Sequence, residues 1–374
     1  MSSSDIQSYS IYIHPQDLKF LRKDIWDEEP VPAKLKFDKK QHHIEIMYRG
    51  SHIREFPKKS YEISFVKPKL FFGQTNLHLN AEYIDPSYIR NKLSLDFFHE
   101  IGVLSPKSQF ISLKINGAYQ GLYLQLESVD EYFLRRRGLP EGAIFYAVND
   151  DANFSLYSSI DDDYKIKKTL DAGYERKLGT DRDNGYLNQI IFQINTLSSR
   201  DFEKEITNYF DIDKYVRWLA GVVCTQNFDG FIHNYALYIN GETKLAEIIP
   251  WDYDATWGRD IHGDELPHDF VPITGYNTLT ARILSVPTFR KLYRLTLEEV
   301  LSEHFTRSNI EPKIKQFHQL IRPYVLRDPY KKNKIEQFDK EPDIILGYLS
   351  KRKAYLIDHL HDLDESSANK IYKE

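Results

Sequence analysis

Four residues with oxygen-bearing side chains lie close together in the middle of the sequence. Asp229 follows an apolar helical run, Asn234 comes five residues later, and a tight hairpin then leads to Asp252 and Asp254. Because a hairpin brings its two ends together, Asp229, Asn234 and Asp252 should converge at one edge of a sheet. Phosphoryl transfer needs a base for a hydroxyl group and hard oxygen ligands for Mg²⁺. The spacing therefore predicts Asp229 as the catalytic residue. It predicts three metal ligands, namely Asp252, Asn234 and Asp254.

The order of these groups is typical of protein kinases, in which an Asp, an Asn five residues on, a hairpin and a further Asp follow one another. The details depart from the common pattern. Gln226-Asn-Phe228 precedes the first Asp in place of His-Arg, and Tyr-Asp follows Asp252 in place of Phe-Gly. The sequence contains neither a G-x-G-x-x-G loop nor an A-P-E triplet. These features together indicate an atypical kinase.

The elements that would position the site begin with a strand-rich segment. Strands with alternating apolar residues are followed by a helix, which should begin at Asp85-Pro86 and end before Gly102. Two further strands follow, and Asn116-Gly117 predicts a hairpin turn between them. This is the order of elements in the N-terminal lobe of a kinase, with a hinge at 125–129.

A lysine on the strand before the helix completes this pattern. Lys59 is predicted to contact the ATP phosphates, in preference to the adjacent Lys58. An acidic residue of the helix, Glu100 or Asp96, would orient it. Glu127 lies in the predicted hinge and is a candidate contact to the nucleotide.

The predicted fold class is α+β, with an atypical, protein-kinase-like two-lobe fold. The N-lobe is expected at residues 1–129, as a β-sheet with one helix. The C-lobe is expected at residues 130–374, mostly helical, with the catalytic loop and the metal-binding hairpin.

Composition excludes several classes of protein. The 374 residues include 50 Lys and Arg against 55 Asp and Glu, and this near-balance argues against nucleic-acid binding. Apolar runs fall far short of the roughly 20 residues that span a membrane. The single cysteine, Cys224, excludes an internal disulfide and a cysteine-based zinc cluster. The start, Met-Ser-Ser-Ser-Asp, shows no basic or apolar leader segment, which predicts a cytoplasmic protein without a secretory signal.

Several motifs together resemble the CotH family of spore-coat protein kinases, which are atypical and secretory-kinase-like. The resemblance extends from about residue 30 to about residue 300. The motifs are Arg49-Gly-Ser-His-Ile-Arg54, Pro57-Lys-Lys-Ser-Tyr61, Ile89-Arg-Asn-Lys-Leu93, Asn116-Gly-Ala-Tyr-Gln-Gly-Leu-Tyr123 with Glu127, Asp229-Gly-Phe-Ile-His-Asn234 and Pro250-Trp-Asp-Tyr-Asp254.

The resemblance implies ATP and Mg²⁺ as cofactors and a Ser/Thr protein kinase activity. It implies Ser-rich, basic spore coat proteins of the CotB and CotG type as partners, and the mother-cell cytoplasm and the spore coat as locations. The catalytic Asp of the family falls on Asp229 and its metal-binding Asp on Asp252. Arg49 and Arg54 of the first motif become candidate nucleotide contacts.

Two alternatives stay open at this point. The chain could be a scaffold for coat assembly whose kinase fold performs no chemistry, and the missing glycine-rich loop favours this slightly. It could also use the same nucleotide site to transfer AMP instead of phosphate.

Overall fold

The chain folds into a closed β-barrel, a second sheet and a set of helices. The computed structural model describes residues 6–66, 70–160 and 165–364. Within those ranges the fold is mixed α+β, which confirms the predicted class. The helices of the described residues are too short or too polar to cross a membrane. The sequence also contains three consecutive aspartates at 161–163, which lie outside the described residues.

The barrel is built from the strands of the first third of the chain. They are β1 (Gln7–Ile13), β2 (Val31–Phe37), β3 (Lys40–Tyr48), β4 (Tyr61–Phe65), β5 (Asn76–Asn80), β6 (Ser108–Ile115) and β7 (Ala118–Glu127). The strand order is β1-β2-β3-β4-β5-β7-β6, and a parallel pairing of β1 with β6 closes the ring. Alternate residues of β2, Val31, Ala33 and Leu35, are buried inside, as the period of a strand requires.

The predicted turn between β6 and β7 is confirmed. Asn116 and Gly117 have φ of 48° and 82°, the left-handed conformations of a two-residue hairpin turn. The Asn116 side chain also bonds the backbone of Ile13, accepting from its N–H and donating to its carbonyl, each at 2.8 Å. The turn therefore joins the hairpin to β1, where the barrel closes.

The second sheet and most of the helices follow the barrel. The sheet has the order β11-β10-β8-β9. Its strands are β8 (Gly142–Ala147), β9 (Tyr174–Leu178), β10 (Tyr235–Asn240) and β11 (Ala246–Pro250). The helices are α1 (Pro15–Lys23), α2 (Arg90–Glu100), α3 (Glu131–Arg136), α4 (Asp181–Thr196), α5 (Ser199–Glu205), α6 (Ile212–Thr225), α7 (Thr278–Ser285), α8 (Pro287–Glu299), α9 (Arg307–Val325) and α10 (Ile335–Asp358).

The hairpin of β10 and β11 forms as predicted, but its connection is longer than that of the tight hairpin expected from the sequence. Residues 241–245 connect the strands, and the Asn240 side chain accepts from the N–H groups of Glu242 and Thr243 at 2.9 and 3.1 Å. Asx capping of this kind replaces the tight turn. The strands still bring residues 234 and 252 to the same end of the sheet.

Helix α2 begins later than predicted. The Asp85 carboxylate accepts from the Ser87 N–H at 2.8 Å and from the Arg90 N–H at 3.1 Å, so the chain makes a separate turn before the helix starts. Beyond the helix, Gly102 has φ of 82°, as predicted for a residue that ends a helix. The ring of Phe98 lies 4.9 Å from that of Tyr253, which places α2 against the chain that follows β11.

Candidate active site

A cleft of about 180 Å³ lies where the barrel meets the chain on either side of the β10–β11 hairpin. Charged and polar side chains dominate its walls. From the segment before β4, from β5 and from the chain after it come Lys58, Ser60, Asn80, Glu82 and Asp85. From the hairpin side come Asp229, His233, Asn234, Asp252 and Asp254. The predicted catalytic residue and the three predicted metal ligands therefore line one cavity.

Asp229 stands at the start of a single 3₁₀ turn after α6. Helix α6 ends at Thr225, and the next residue, Gln226, turns the chain with a φ of 60°. The Asn227 side chain accepts from the Gly230 N–H at 3.1 Å. His233 lies beside Asp229, with Nε2 at 3.8 Å from its Oδ2. Burial raises the pKa of Asp229, and His233 opposes this rise. A raised carboxylate pKa suits a group that must accept a proton.

The loop after β11 presents Asp252 in a left-handed conformation. Asn234 and Asp252 have φ of 57° and 59°, which Asn and Asp adopt more readily than most residues. The Asn234 side chain donates to the Asp252 carbonyl at 3.5 Å, and the Trp251 N–H donates to the Asn234 carbonyl at 3.1 Å. Burial raises the pKa of Asp252, while the nearby Arg49 charge lowers it. The two chain ends of the hairpin thus hold each other in register.

Helix α2 fixes this loop from the other side. Asn91 accepts from the Tyr253 N–H at 3.2 Å, and Arg90 donates through Nε to the Thr256 carbonyl at 2.9 Å. Trp257 donates through Nε1 to the Ser94 hydroxyl at 2.9 Å. Because residues of α2 bond three points of the loop, the helix positions Asp252 without entering the site chemistry.

Four buried charged residues, here the Arg90 cluster, stand behind the cleft. Arg90 pairs with Asp85 and with Glu341 of α10, each at 2.7 Å. Glu341 also pairs with Arg259 at 2.6 Å. Two cations face two carboxylates, so the cluster is neutral within itself. It ties the C-terminal helix α10 to the walls of the cleft.

The two adjacent lysines lie in different surroundings. Lys58 lines the cleft and is buried, and its Nζ lies 2.9 Å from Asp328 and 3.4 Å from the Tyr88 hydroxyl. Lys59 lies outside the lining of the cleft and donates to the Arg54 carbonyl. The two adjacent side chains thus lie in different places, and only that of Lys58 lines the cleft. The structure therefore places the neighbour of the predicted lysine at the site.

The acidic partners predicted for the lysine are engaged elsewhere. Asp96 pairs with Lys92 at 2.9 Å, one turn away on α2. Glu100 pairs with Lys313 of α9 at 2.6 Å. The acid that meets the cleft lysine is Asp328, which follows α9.

Of the two arginines predicted to contact the nucleotide, Arg49 lies near Asp252 and Arg54 supports a neighbouring loop. Arg49 donates to the side chain of Asn80 and lies 5.4 Å from the Trp251 ring, close to Asp252. Arg54 is buried and donates to the Gly50 carbonyl at 2.6 Å, so it supports the 50–54 loop.

Glu127 is held away from the cleft. It pairs with Arg137 at 2.8 Å and with Arg136, and it accepts from the Lys107 N–H at 2.9 Å. It faces a separate pocket at the end of β7. Through these two arginines, Glu127 connects the end of β7 to the end of α3.

Glu82 is a cleft residue that the sequence analysis missed. The residue is 4% exposed, its Oε1 accepts from the Asn91 amide at 3.1 Å, and its Oε2 is buried without a hydrogen-bond partner among the described residues. Burial and the charges of Asp254 and Asp85 raise its pKa well above the ordinary value. A carboxylate in a loop after a strand gives no sequence signal, because such residues usually face solvent.

The donor set fits a Mg²⁺ ion that is bound together with phosphates. Carboxylate and amide oxygens of Asp252, Asp254 and Asn234 line the cleft, and these are hard ligands. Across the described residues, no three acidic, His or Cys side chains already form a complete metal site. Mg²⁺ is commonly held by one or two carboxylates, with phosphates and water completing its shell. The cleft thus offers only part of the ligand shell of a Mg²⁺ ion, and phosphates and water would supply the rest.

Comparisons with known proteins identify relatives over nearly the whole chain. The CotH kinase protein family matches residues 46–356. The inner spore coat protein H of Bacillus subtilis (strain 168) is 57% identical over 359 residues, which cover 96% of this chain and 99% of that protein. The inner spore coat protein H-like protein of the same organism is 29% identical over 303 residues, 81% of this chain and 86% of the relative.

A comparison with solved structures gives a much looser likeness. The Shewanella oneidensis MR-1 toxin–antitoxin complex of HipA, HipB and operator DNA matches with a TM-score of 0.36 and 13% identity, covering 97% of this chain and 74% of the other. A superposition this loose carries no argument about fold or function. The sequence match, in contrast, spans the cleft and the elements that build it, and the chain belongs to the CotH kinase protein family.

Proposed function

We propose that the chain is an atypical Ser/Thr protein kinase that transfers the γ-phosphate of ATP to spore coat proteins and so supports coat assembly. The observation that carries this proposal is that Asp229, Asn234 and Asp252 line one cleft together with Lys58, which lies in the segment before β4. These are the groups that phosphoryl transfer requires, in the order found in kinases.

The catalytic step assigns Asp229 as the base. The hydroxyl oxygen of the acceptor forms a bond to the γ-phosphorus, the bond from that phosphorus to the β–γ bridging oxygen breaks, and ADP leaves. Asp229 receives the hydroxyl proton. His233 orients Asp229, because its Nδ1 lies 2.8 Å from Asp150 and its Nε2 faces Asp229.

Asp252 and Asn234 would hold Mg²⁺, which neutralises the phosphate charge when it is bound. Lys58 rather than Lys59 is the lysine we assign to the phosphates, because only Lys58 lines the cleft. Asp328 takes the part of the acid that orients such a lysine in kinases, and its Oδ2 lies 2.9 Å from the Lys58 ammonium.

The barrel and the helical part would act as the two lobes of a kinase, with the boundary near residue 129. The resemblance to inner spore coat protein H supports spore coat proteins as substrates and the mother-cell cytoplasm and spore coat as the place of action. Basic, Ser-rich acceptors of the CotB and CotG type would offer the hydroxyl groups.

The test uses γ-labelled ATP, Mg²⁺ and a basic Ser-rich peptide with the wild-type chain, Asp229→Ala and Glu127→Gln. Label should appear on the peptide with the wild type and with Glu127→Gln, whose side chain lies outside the cleft. It should vanish with Asp229→Ala. Wild-type chain that binds ATP but labels nothing would contradict the proposal.

A further inference from the structure

A second pocket, here the mouth pocket, opens at the end of the barrel where β1 and β6 begin and β7 ends. Its volume is about 360 Å³, and its walls include Gln7, Phe72, Gln74, Ser108, Gln109 and Gln125. Gln74 comes just before β5, whereas Asn80, the last residue of β5, lines the cleft. The length of β5 therefore separates the mouth pocket from the cleft. The mouths of β-barrels are common places for ligand sites.

Glutamine side chains form a fixed polar network in the mouth pocket. The Tyr9 hydroxyl donates to Gln125 Oε1 at 2.6 Å. Gln109 Nε2 donates to the same oxygen at 3.0 Å and to Gln7 Oε1 at 3.2 Å. Gln125 is only 5% exposed, and Tyr9 is fully buried. Because these bonds hold three amide groups in place, the pocket offers a preformed polar surface.

Three polar atoms of the mouth pocket have no hydrogen-bond partner among the residues that the structure describes. Gln74 Oε1 and Ser108 Oγ are both buried without a partner. Gln125 Nε2 donates to no described group, since the bonds of this side chain all end on its oxygen. Buried polar atoms are normally paired, and the pocket holds more than a single water molecule. The free atoms therefore indicate a larger polar ligand.

The charged groups around the mouth pocket do not call for an ionic ligand. Glu127 also borders the pocket, but it pairs with Arg136 and with Arg137, the latter at 2.8 Å. Lys107 is exposed, so water solvates its ammonium group. The buried atoms that need partners all belong to uncharged amides and a hydroxyl group.

The donor and acceptor character of the free atoms sets the chemistry of the ligand. Gln74 Oε1 only accepts, Gln125 Nε2 only donates, and Ser108 Oγ does either. A ligand hydroxyl group likewise donates and accepts. A molecule with several hydroxyl groups therefore satisfies all three atoms without bringing a charge into the pocket.

Phe72 adds an apolar wall to this polar surface. Its side chain is 57% exposed, yet the ring packs edge-on against Phe71 and Phe37, with centroids at 4.6 and 5.6 Å. Phe72 and Gly73 have φ of 51° and 76° in the tight turn before β5, where asparagine or glycine fits better than phenylalanine. The turn thus carries an aromatic ring at a conformational cost. Such a ring matches the flat C–H face of a sugar.

We propose that the mouth pocket binds a neutral sugar. The sugar ring lies against Phe72, and its hydroxyl groups bond to Gln74, Ser108 and Gln125. This inference does not depend on the kinase activity, because the mouth pocket and the cleft share no lining residue. A free monosaccharide and the end of a polysaccharide offer the same chemistry.

The experiment measures saturation-transfer NMR with the methyl glycosides of glucose, galactose, mannose and N-acetylglucosamine, each titrated into the wild-type chain. At least one sugar should bind. Gln74→Met and Ser108→Ala each remove one hydrogen-bonding group, and each should weaken that binding about tenfold. Phe72→Ala should weaken it as well, because the ring no longer covers the sugar face.

Gln120→Met is the matched control. Gln120 lies on β7 at the end away from the mouth pocket, and its Nε2 donates to the Ala118 carbonyl at 3.1 Å. This variant should bind the sugar like the wild type. Equal losses in Gln120→Met and Gln74→Met would overturn the proposal, as would a wild-type chain that binds none of the four sugars. Near-ultraviolet circular dichroism confirms that each variant keeps its tertiary packing.

Two further comparisons identify the ligand and separate the mouth pocket from the cleft. A trisaccharide of the sugar that binds should bind more tightly if the natural ligand is a polysaccharide, and equally if it is a free sugar. An uncharged peptide of glycine and asparagine that displaces the sugar and binds more tightly would make the pocket a peptide site and overturn the proposal. Asp229→Ala should bind the sugar like the wild type. Loss of binding in that variant would place the sugar in the cleft and overturn the proposal.

Discussion

Two sets of buried charges flank the same cleft and differ in one respect. The Arg90 cluster pairs two cations with two carboxylates, and each contact lies within 2.7 Å. Glu82 and Asp254 form no ion pair among the described residues. The paired charges tie α10 to the walls of the cleft, whereas burial raises the pKa of both unpaired carboxylates and so favours their uncharged form. Each of the following changes tests one side of this comparison.

The largest effect is expected on the chemistry of the cleft itself. Asp229→Asn removes the base but keeps the shape of the side chain, so the transfer rate should fall about 10²–10⁴-fold. Steady-state rates at saturating ATP measure the loss. A variant that retains the wild-type rate would show that Asp229 is not the base.

A substitution in the Arg90 cluster should lower the stability of the fold. Glu341→Gln leaves the charges of Arg90 and Arg259 without their buried partner, and the free energy of unfolding should fall by about 3–5 kcal/mol. Urea denaturation measures it. Glu336→Gln, on the first turn of the same helix, should change little. An unaffected Glu341→Gln would mean that the cluster does not hold α10.

Replacing each of the two adjacent lysines should give a smaller difference in stability, and each variant serves as the control for the other. Lys58→Met leaves Asp328 buried without its cation and should lower the free energy of unfolding by about 3 kcal/mol. Lys59→Met removes a half-buried group that donates to a carbonyl, and about 1 kcal/mol is expected. Denaturation of both variants in one buffer makes the comparison. Equal losses would contradict the different placement of the two side chains.

The smallest effect is expected at Glu82, where a substitution should raise the stability of the fold. Burial raises the pKa of Glu82 well above its ordinary value, so the fold favours the uncharged form. That contribution to stability is present below the ordinary glutamate pKa and is lost as the pH rises through the raised value. Without divalent cations at neutral pH, Glu82→Gln should therefore stabilise the chain by about 1–3 kcal/mol.

Thermal unfolding in a chelator at several pH values measures this effect. The advantage of Glu82→Gln over the wild type should grow as the pH rises, because the wild-type carboxyl group then loses its proton. An advantage that is independent of pH would show that the Glu82 charge is already compensated.

Local patterns predicted the parts of the site that lie near one another in sequence. The Asp229 to Asp254 segment forms one loop and one hairpin, so spacing along the chain was enough to bring its side chains together. The Asn116-Gly117 turn was equally local. These predictions depended on turn chemistry and strand period alone.

The parts that the sequence could not predict depend on contacts between distant segments. Asp328 lies 270 residues from Lys58, and no pattern links them. The sequence also does not show that Lys58, and not the predicted Lys59, lines the cleft, because that placement depends on how distant segments pack together. The predicted start of α2 was wrong because the Asp85 side chain bonds Arg90 instead of capping the helix directly.

Whether the cleft transfers the γ-phosphate of ATP is tested most directly by following both ends of the nucleotide in one reaction. ATP that carries distinct labels on its α- and γ-phosphates is incubated with Mg²⁺, a basic Ser-rich peptide, and the wild-type chain or Asp252→Asn. The γ-label alone should reach serine or threonine of the peptide, and only with the wild type. Transfer of the α-label would instead make the chain an AMP transferase, and transfer of neither label would favour a scaffold without chemistry.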